Sequence, residues 1–235
     1  ADKQRMTLVL QSARGAQAVY LDMTRTDVLS SEYYYLLPND VLYVPISSFE
    51  TALAGVDAYP CCRSHGGVAA IDALNGELLW NYETTPHAVK VGRTSAGTDT
   101  WGPSGAAVWT TPAIDARRGR IYIGTAQNMS PPATHTSDAI IALDMATGEE
   151  AWVFQALAGD IWNVACHLGR ANCPDPAGPD FDFGGGITLT QDASGRDIIV
   201  AGHSAAKGNR VFRLTGNALR PLLDLPGSTA CDARG

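Results

Sequence analysis

Cys61 and Cys62 are adjacent in the chain, Cys166 and Cys173 form a near pair, and Cys231 stands alone. Thiols so placed can bond to each other, ligate a soft metal or carry redox chemistry. No two of them have the Cys-x-x-Cys spacing, which excludes a zinc ribbon or a c-type haem attachment within this sequence. A disulfide between Cys166 and Cys173 would close a short loop and suit an oxidising compartment such as a periplasm. Buried free thiols in a reducing cell are the competing reading. Asn128-Met129-Ser130 also spells a glycosylation sequon, a pattern too frequent by accident to carry an argument.

Groups that do chemistry need a scaffold to hold them. With 45% hydrophobic and only 17% charged residues among 235, the chain can bury a sizeable core without help from metals or partners. Its 24 glycines and 13 prolines punctuate short β-rich runs, which favours many strands and tight turns over a helical bundle. The formal charge of -7 and the lack of a Lys/Arg cluster argue against a nucleic-acid partner. No apolar run approaches the roughly 20 residues of a membrane helix, so no membrane span is expected. The first residues lack a basic segment followed by an apolar one, and the chain reads as soluble with any signal peptide already removed.

An internal repeat fixes the architecture. Ala70-Ile71-Asp72-Ala73-Leu74-Asn75-Gly76-Glu77-Leu78-Leu79-Trp80 matches Ala142-Leu143-Asp144-Met145-Ala146-Thr147-Gly148-Glu149-Glu150-Ala151-Trp152 at Ala, Asp, Gly, Glu and Trp. An apolar strand enters Asp, whose carboxylate can accept from the backbone N–H groups ahead; Gly then takes the left-handed conformation of a bulged hairpin. The returning strand carries Trp80 or Trp152, a flat ring able to wedge against a neighbouring sheet.

Strand signals fall around these turns. Residues 106–114, 120–125, 138–143 and 150–155 make one four-stranded antiparallel unit of the propeller-blade kind. Residues 186–190, 197–202, 210–214 and 218–223 make another, whose closing turn lacks Asp and Trp. Upstream, residues 41–45 read as an inner strand, with 67–71 and 78–82 completing that blade around a long insertion at 47–63. Val19-Tyr20-Leu21-Asp22 could begin a decayed copy of the turn. The chain therefore divides into a divergent N-terminal segment, 1–40, blades over 41–205, and a divergent C-terminal segment, 206–235. About three to four blades can be placed, which leaves unpaired edges and apolar faces.

Residues 41–202 resemble the pyrroloquinoline quinone (PQQ)-dependent alcohol dehydrogenases, most closely the polyvinyl alcohol dehydrogenase-like branch. The resemblance rests on Tyr43-Val44-Pro45-Ile46-Ser47-Ser48-Phe49-Glu50, Tyr59-Pro60-Cys61-Cys62, Trp101-Gly102-Pro103-Ser104-Gly105-Ala106-Ala107-Val108-Trp109, Asp160-Ile161-Trp162-Asn163-Val164-Ala165-Cys166 and Gly178-Pro179-Asp180-Phe181-Asp182-Phe183. It implies an all-β fold of quinoprotein-type propeller blades, here a partial propeller, with PQQ on the propeller axis, calcium against it, and oxidation of an alcohol to a carbonyl. A flat, polyanionic quinone needs apolar plates, donors or cations for its carboxylates, a Lewis acid on its reactive carbonyl and a base for the substrate hydroxyl.

In such enzymes adjacent cysteines close a disulfide ring that packs on the quinone, which gives Cys61 and Cys62 one plate. The resemblance gives Trp109 the opposite plate and makes Ser104, Gly105, Ala106 and Trp162 further cofactor contacts. Asn128, with Gln127, falls on the family's Gly-Thr-Gly-x-Asn turn that offers an amide oxygen to calcium, although Ala126 replaces the second glycine. Where methanol-type enzymes carry a catalytic Asp after Trp162, this chain has Asn163, which cannot abstract a proton. Asp160 is then the candidate base, with a turn-capping role as its alternative; Asp180 and Asp182 are further candidates for calcium or base. Either Arg63 or His65 must replace the family's Arg on a cofactor carboxylate, and Lys207 stands a few residues late for its Lys.

The resulting expectation is PQQ-dependent oxidation of secondary or polymeric alcohols, by this chain or by the protein of which it is a fragment. An external electron acceptor such as a cytochrome c, additional blades from another chain, and a periplasmic or secreted location belong to that reading. A non-catalytic propeller scaffold that has lost its cofactor is the rival.

Overall fold

The computed structural model describes residues 6–12, 15–21, 41–46, 50–203, 209–215 and 218–224. Strands β1 (Met6–Ser12), β2 (Gly15–Leu21) and β3 (Val41–Ile46) precede a short helix α1 (Thr51–Ala54), then β4 (Gly67–Asp72) and β5 (Leu78–Glu83). These form a five-stranded antiparallel sheet in the order β2-β1-β3-β4-β5. Next come the hairpin of β6 (Val89–Arg93) and β7 (Asp99–Gly102), the small strand β8 (Ser104–Gly105), β9 (Ala113–Asp115), β10 (Arg120–Gly124), β11 (Asn128–Ser130), β12 (Ala139–Asp144) and β13 (Glu150–Gln155). The second large sheet runs β13-β12-β10-β9, while β11 pairs with β8. After helix α2 (Val164–Leu168), strands β14 (Ile187–Gln191), β15 (Asp197–Gly202), β16 (Asn209–Thr215) and β17 (Ala218–Asp224) form a third sheet in chain order.

The protein is thus all-β, with blade-type sheets of a partial propeller. Three details qualify the expectation from sequence. Residues 41–45, 67–71 and 78–82 do not complete their sheet, because β1 pairs with β3 in the place that β9 takes in the second sheet, and β2 lies beyond it. Residues 19–21 pair with β1 in a hairpin, and the turn expected to begin at Asp22 lies outside the described residues. The strand expected over 106–114 shrinks to β9, and Ala106 at its start takes a positive φ of 47° that extended chain does not permit.

The repeated turn has the hydrogen bonding that its residue types call for. Asp72 Oδ1 accepts from the backbone N–H of Leu74 and Asn75 (2.8 and 3.2 Å), and Asp144 Oδ1 accepts from Ala146 and Thr147 (2.9 and 3.2 Å). Gly76 and Gly148 complete the turns at φ 76° and 72°. A third turn follows the same rule without the Trp: Asp192 Oδ1 accepts from Ser194 and Arg196 N–H, ahead of Gly195 at φ 77°.

The middle sheet is buried on both faces, and strand alternation divides its side chains between two cores. Ile121, Ile123, Ile141 and Leu143 pack with Tyr43, Val68 and Ala70 of the first sheet. Their neighbours Tyr122, Ile140 and Ala142 point the other way, to Phe183, Ile199 and Phe212. Burying an Ile or Phe contributes about 1.5–3 kcal/mol relative to exposure, so this stacking of sheet on sheet is what orders the blades.

Candidate functional site

Segments that follow β8, β10 and β13 line a cavity of about 420 Å³. After β10 the chain leaves the sheet, and the Ala126–Asn128 backbone is trapped between two passing segments. Ala106 N–H donates to Gln127 O (2.8 Å) and Ala126 N–H to Ala107 O (3.0 Å) on one side; Asn128 N–H donates to Asp160 O (3.1 Å) and Trp162 N–H to Asn128 O (2.8 Å) on the other. Gly105 is required at this crossing, since a Cβ there would stand 2.4 Å from the Met129 nitrogen. The crossing brings Trp109, Trp162, Gly105, Gln127, Asp180 and Asp182 to the same cavity. Trp109 is 40% exposed, a large ring left open on the cavity rather than spent in the core.

Polar chemistry in the cavity belongs to residues 180–183, where alternate side chains face opposite ways. Asp180 and Asp182 line the cavity, whereas Phe181 and Phe183 meet the ring of His203 (centroids 5.8 and 4.6 Å). Gln127 holds both acids: its Nε2 donates to Asp180 Oδ1 (2.9 Å) and its backbone N–H to Asp182 Oδ1 (3.3 Å). Burial, then the neighbouring Asp180 carboxylate, pushes Asp182 up to about 7. Burial and the Asp160 charge raise Asp180 as well. A pair of crowded carboxylates that resists ionisation is an arrangement a hard cation would relieve, or one from which a base can act near neutral pH. The sequence had offered both as candidates for calcium or base within the Gly178–Phe183 segment of the family resemblance, without showing that they would face one cavity.

Asp160 and Asp138 stand behind this wall. Asp160 is 1% exposed and does not line the cavity; its Oδ2 accepts from Phe181 N–H (2.8 Å) and its Oδ1 from Asp180 N–H (3.4 Å), so it shapes the loop that carries the acids. Gly178 makes that possible, because a Cβ there would lie 1.9 Å from Asp160 Oδ1. Burial raises Asp160, against the two N–H donors. Asp138, fully buried at φ 49°, accepts no hydrogen bond on either oxygen among the described residues, and His203 Nε2 lies 3.5 Å from its Oδ1. Burial, reinforced by the charges of Asp160, Asp182 and Asp180, pushes Asp138 up to about 9.

Other residues singled out in the sequence are placed differently. Asn128 is fully buried beside the cavity, with its Nδ2 donating to Ser104 O and Thr134 Oγ1 (both 3.1 Å) and its Oδ1 accepting from Thr134 N–H (2.8 Å). Its amide oxygen is turned into the fold and not toward a cation. Asn163 caps α2, accepting from Ala165 N–H (2.9 Å), and donates to Met129 O and Asn172 O (2.9 and 3.0 Å). Ser104 is buried with its Oγ 2.6 Å from Ser130 Oγ, and Ala106 is buried at the crossing. Arg63 stacks its guanidinium 4.0 Å over the Trp101 ring, and His65 turns toward Glu83; neither lines the cavity. Lys207 lies outside the described residues.

Cys61 is disulfide-bonded to Cys62, and Cys166 to Cys173. The adjacent pair is buried in a cluster with Ala54 and Met129, and the backbone of Trp101 holds it from both sides. Met129 lines the 420 Å³ cavity and also a neighbouring one of about 370 Å³ that Cys61 reaches. The pair is therefore one residue removed from the cavity that Trp109 flanks.

Comparison with known proteins bears on this arrangement. The β-propeller domain of the PQQ glucose/ethanol/alcohol dehydrogenases matches residues 51–167. A polyvinylalcohol dehydrogenase of Sphingopyxis sp. (strain 113P3) is 38% identical over 170 residues, covering 70% of this chain and 26% of that protein. One from Pseudomonas sp is 36% identical over 165 residues, with the same 70% and 26% coverage. The chain thus spans about a quarter of the length of these curated relatives. Among solved structures, the quinohemoprotein alcohol dehydrogenase from Comamonas testosteroni gives a TM-score of 0.48 at 18% identity, over 77% of this chain and 26% of that one.

Proposed function

We propose, of a chain that belongs to the PQQ-dependent alcohol dehydrogenase β-propeller family, that it is the cofactor-proximal part of an enzyme oxidising secondary or polymeric alcohols. The observation that carries this reading is the convergence of Trp109, Trp162, Gln127, Asp180 and Asp182 on one cavity of about 420 Å³. When bound, PQQ would supply the two-electron acceptor for alcohol oxidation. The donor set suits part of that group. The indoles of Trp109 and Trp162, with Gly105, Ala107 and Met129, offer a smooth apolar surface for a flat ring. Asp180 and the Gln127 side-chain oxygen offer ligands of the kind a calcium ion takes.

The second acid of the pair gives the chain a base. Asp182, held up near neutrality by burial, can take the proton of a bound hydroxyl, while Gln127 fixes the carboxylate through its backbone N–H. In this reading Asp182 replaces Asp160 as candidate base, and Asp160 becomes a positioning residue. No Lys or Arg is among the described residues that line the cavity, so cations for the carboxylates of PQQ would come from outside them, with Lys207 a candidate. An external acceptor such as a cytochrome c, and a periplasmic or secreted setting compatible with two disulfides, complete the proposal.

Incubation of the chain with PQQ and calcium, followed by desalting, tests this reading. Retained quinone absorbance and quenching of the Trp fluorescence are expected, with dye-coupled oxidation of secondary alcohols once the remaining blades are supplied. No retained quinone would favour the scaffold alternative, to which the internally satisfied Asn128 and Asn163 amides lend support.

A further inference from the structure

His65, Glu83 and His87 come together on the far side of the Gly105 crossing. Their ligand atoms, one from each residue, all lie within 4.8 Å of one another. His65 Nε2 is 3.8 Å from Glu83 Oε1, and His87 Nε2 is 3.6 Å from Glu83 Oε2. Both separations are too long for hydrogen bonds. They are close to the roughly 3.3 Å between ligands in a tetrahedral shell with bonds of about 2.0–2.1 Å. We infer that these three side chains form a binding site for a divalent first-row metal ion, zinc in particular, with a fourth position open.

The backbone fixes two of the three ligands relative to each other. Gly67 and Glu83 are cross-strand partners, and Thr84 N–H donates to Gly66 O at 3.0 Å. Gly66 N–H in turn donates to Gly105 O at 3.0 Å, so His65 is held against the rear of the cavity wall. His65 Nδ1 lies 3.2 Å from Gly66 O. Donation there leaves Nε2 as the lone-pair nitrogen facing Glu83, the tautomer control that metal-bound histidines receive from a backbone carbonyl. His87 follows Glu83 by four residues on a loop whose start is pinned by the Thr84 Oγ1 bond to Ala106 O (2.8 Å) and whose end enters β6. Its side chain is 84% exposed, so it can swing in to close the shell without disturbing packing.

Two imidazoles and one carboxylate suit zinc over calcium or magnesium, which prefer all-oxygen shells. A metal there would tie the segment after the cysteine pair to the β5–β6 loop. None of the three ligands lines the 420 Å³ cavity.

Titrating the tag-free chain with zinc chloride by calorimetry tests it. A single ion per chain is expected, together with a raised melting temperature in zinc and the intense visible absorption of a low-symmetry site when cobalt is substituted. His87→Ala, at an exposed position, should weaken zinc binding by about tenfold or more and leave the zinc-free melt unchanged. His135→Ala, at an exposed histidine near Glu150, should bind as the parent does. No saturable zinc binding by the parent, or equal binding by the parent and the His65→Ala/His87→Ala double variant, overturns the site.

Discussion

The indole of Trp80 lies against the backbone of Gly148: a Cβ built at Gly148 would stand 2.5 Å from its Cε3. The Trp of one repeat thus covers the turn glycine of the next, and its Nε1 donates to Met145 O (3.0 Å) in the same turn. Tyr43 donates to that carbonyl as well (3.1 Å), so both lone pairs are used. The glycine serves its own turn and the neighbouring blade at once.

This dual duty separates two glycines that look equivalent in sequence. Gly76 has the same positive φ but nothing within 4 Å of its missing Cβ. Gly76→Ala should cost about 1–2 kcal/mol, the left-handed penalty alone. Gly148→Ala adds the clash with Trp80 and should cost about 3 kcal/mol or more. Denaturant melts of the two variants measure the difference, and equal losses would refute blade docking through Gly148.

Asp138 makes stability depend on pH. Its folded pKa of about 9 lies far above the ordinary carboxylate value of 3.8. A raised pKa means the folded protein holds the proton more tightly, so this contribution is fully present below about pH 4 and lost as pH rises toward 9. Asp138→Asn, isosteric and tolerant of positive φ, should remove that slope. At pH 8 it should be more stable than the parent by on the order of 1–3 kcal/mol. Thermal melts across pH 5–9 would show the two curves converging at the acid end; parallel curves would contradict the assignment.

Asn163→Asp separates a catalytic position from a structural one. The Nδ2 donor that serves two backbone carbonyls becomes an acceptor facing them. The variant should lose about 2–4 kcal/mol, with no gain in alcohol oxidation. An unaltered melt would mean that the cap and its bonds are dispensable.

Trp109 should matter for cofactor and little for stability. Trp109→Ala removes a ring that is 40% exposed, so a loss of no more than about 1–2 kcal/mol is expected, while retention of quinone after desalting is abolished. Trp109→Phe should keep partial retention. Full retention by the Ala variant would remove Trp109 from the cavity's function.

The fold was legible because its signals are local. In the repeated turns, the Asp that accepts and the N–H groups that donate lie within three residues of each other, and the glycine conformation follows from the same bonds. The apolar runs of β10 and β12 likewise marked strands, while which side chains meet which core was decided by the neighbouring sheets. The hairpin of β1 and β2 was hidden, since neither strand carries the turn residues of the repeat.

The site was legible only in part. Trp109, Trp162, Gly105 and Gln127, all singled out in the sequence, line one cavity. Residue types alone could not tell which of several amides and carboxylates face the cavity and which hold the fold together. Asn128 looks like a ligand and Asp160 like a base in sequence, and Asn163 stands where a base would be; in the fold each bonds backbone groups. Asp180 and Asp182 reach the cavity because Asp160 folds their loop and Gln127 receives them.

Sequence by itself determined the blade, its turns and the family, for those rest on bonds closed between near neighbours and on the period of a strand. Tertiary structure alone decided the site. Its polar groups come from segments more than fifty residues apart, as Gln127 and Asp180 do. Their direction depends on backbone crossings, such as that of 126–128 between 105–107 and 160–162, that no local pattern encodes.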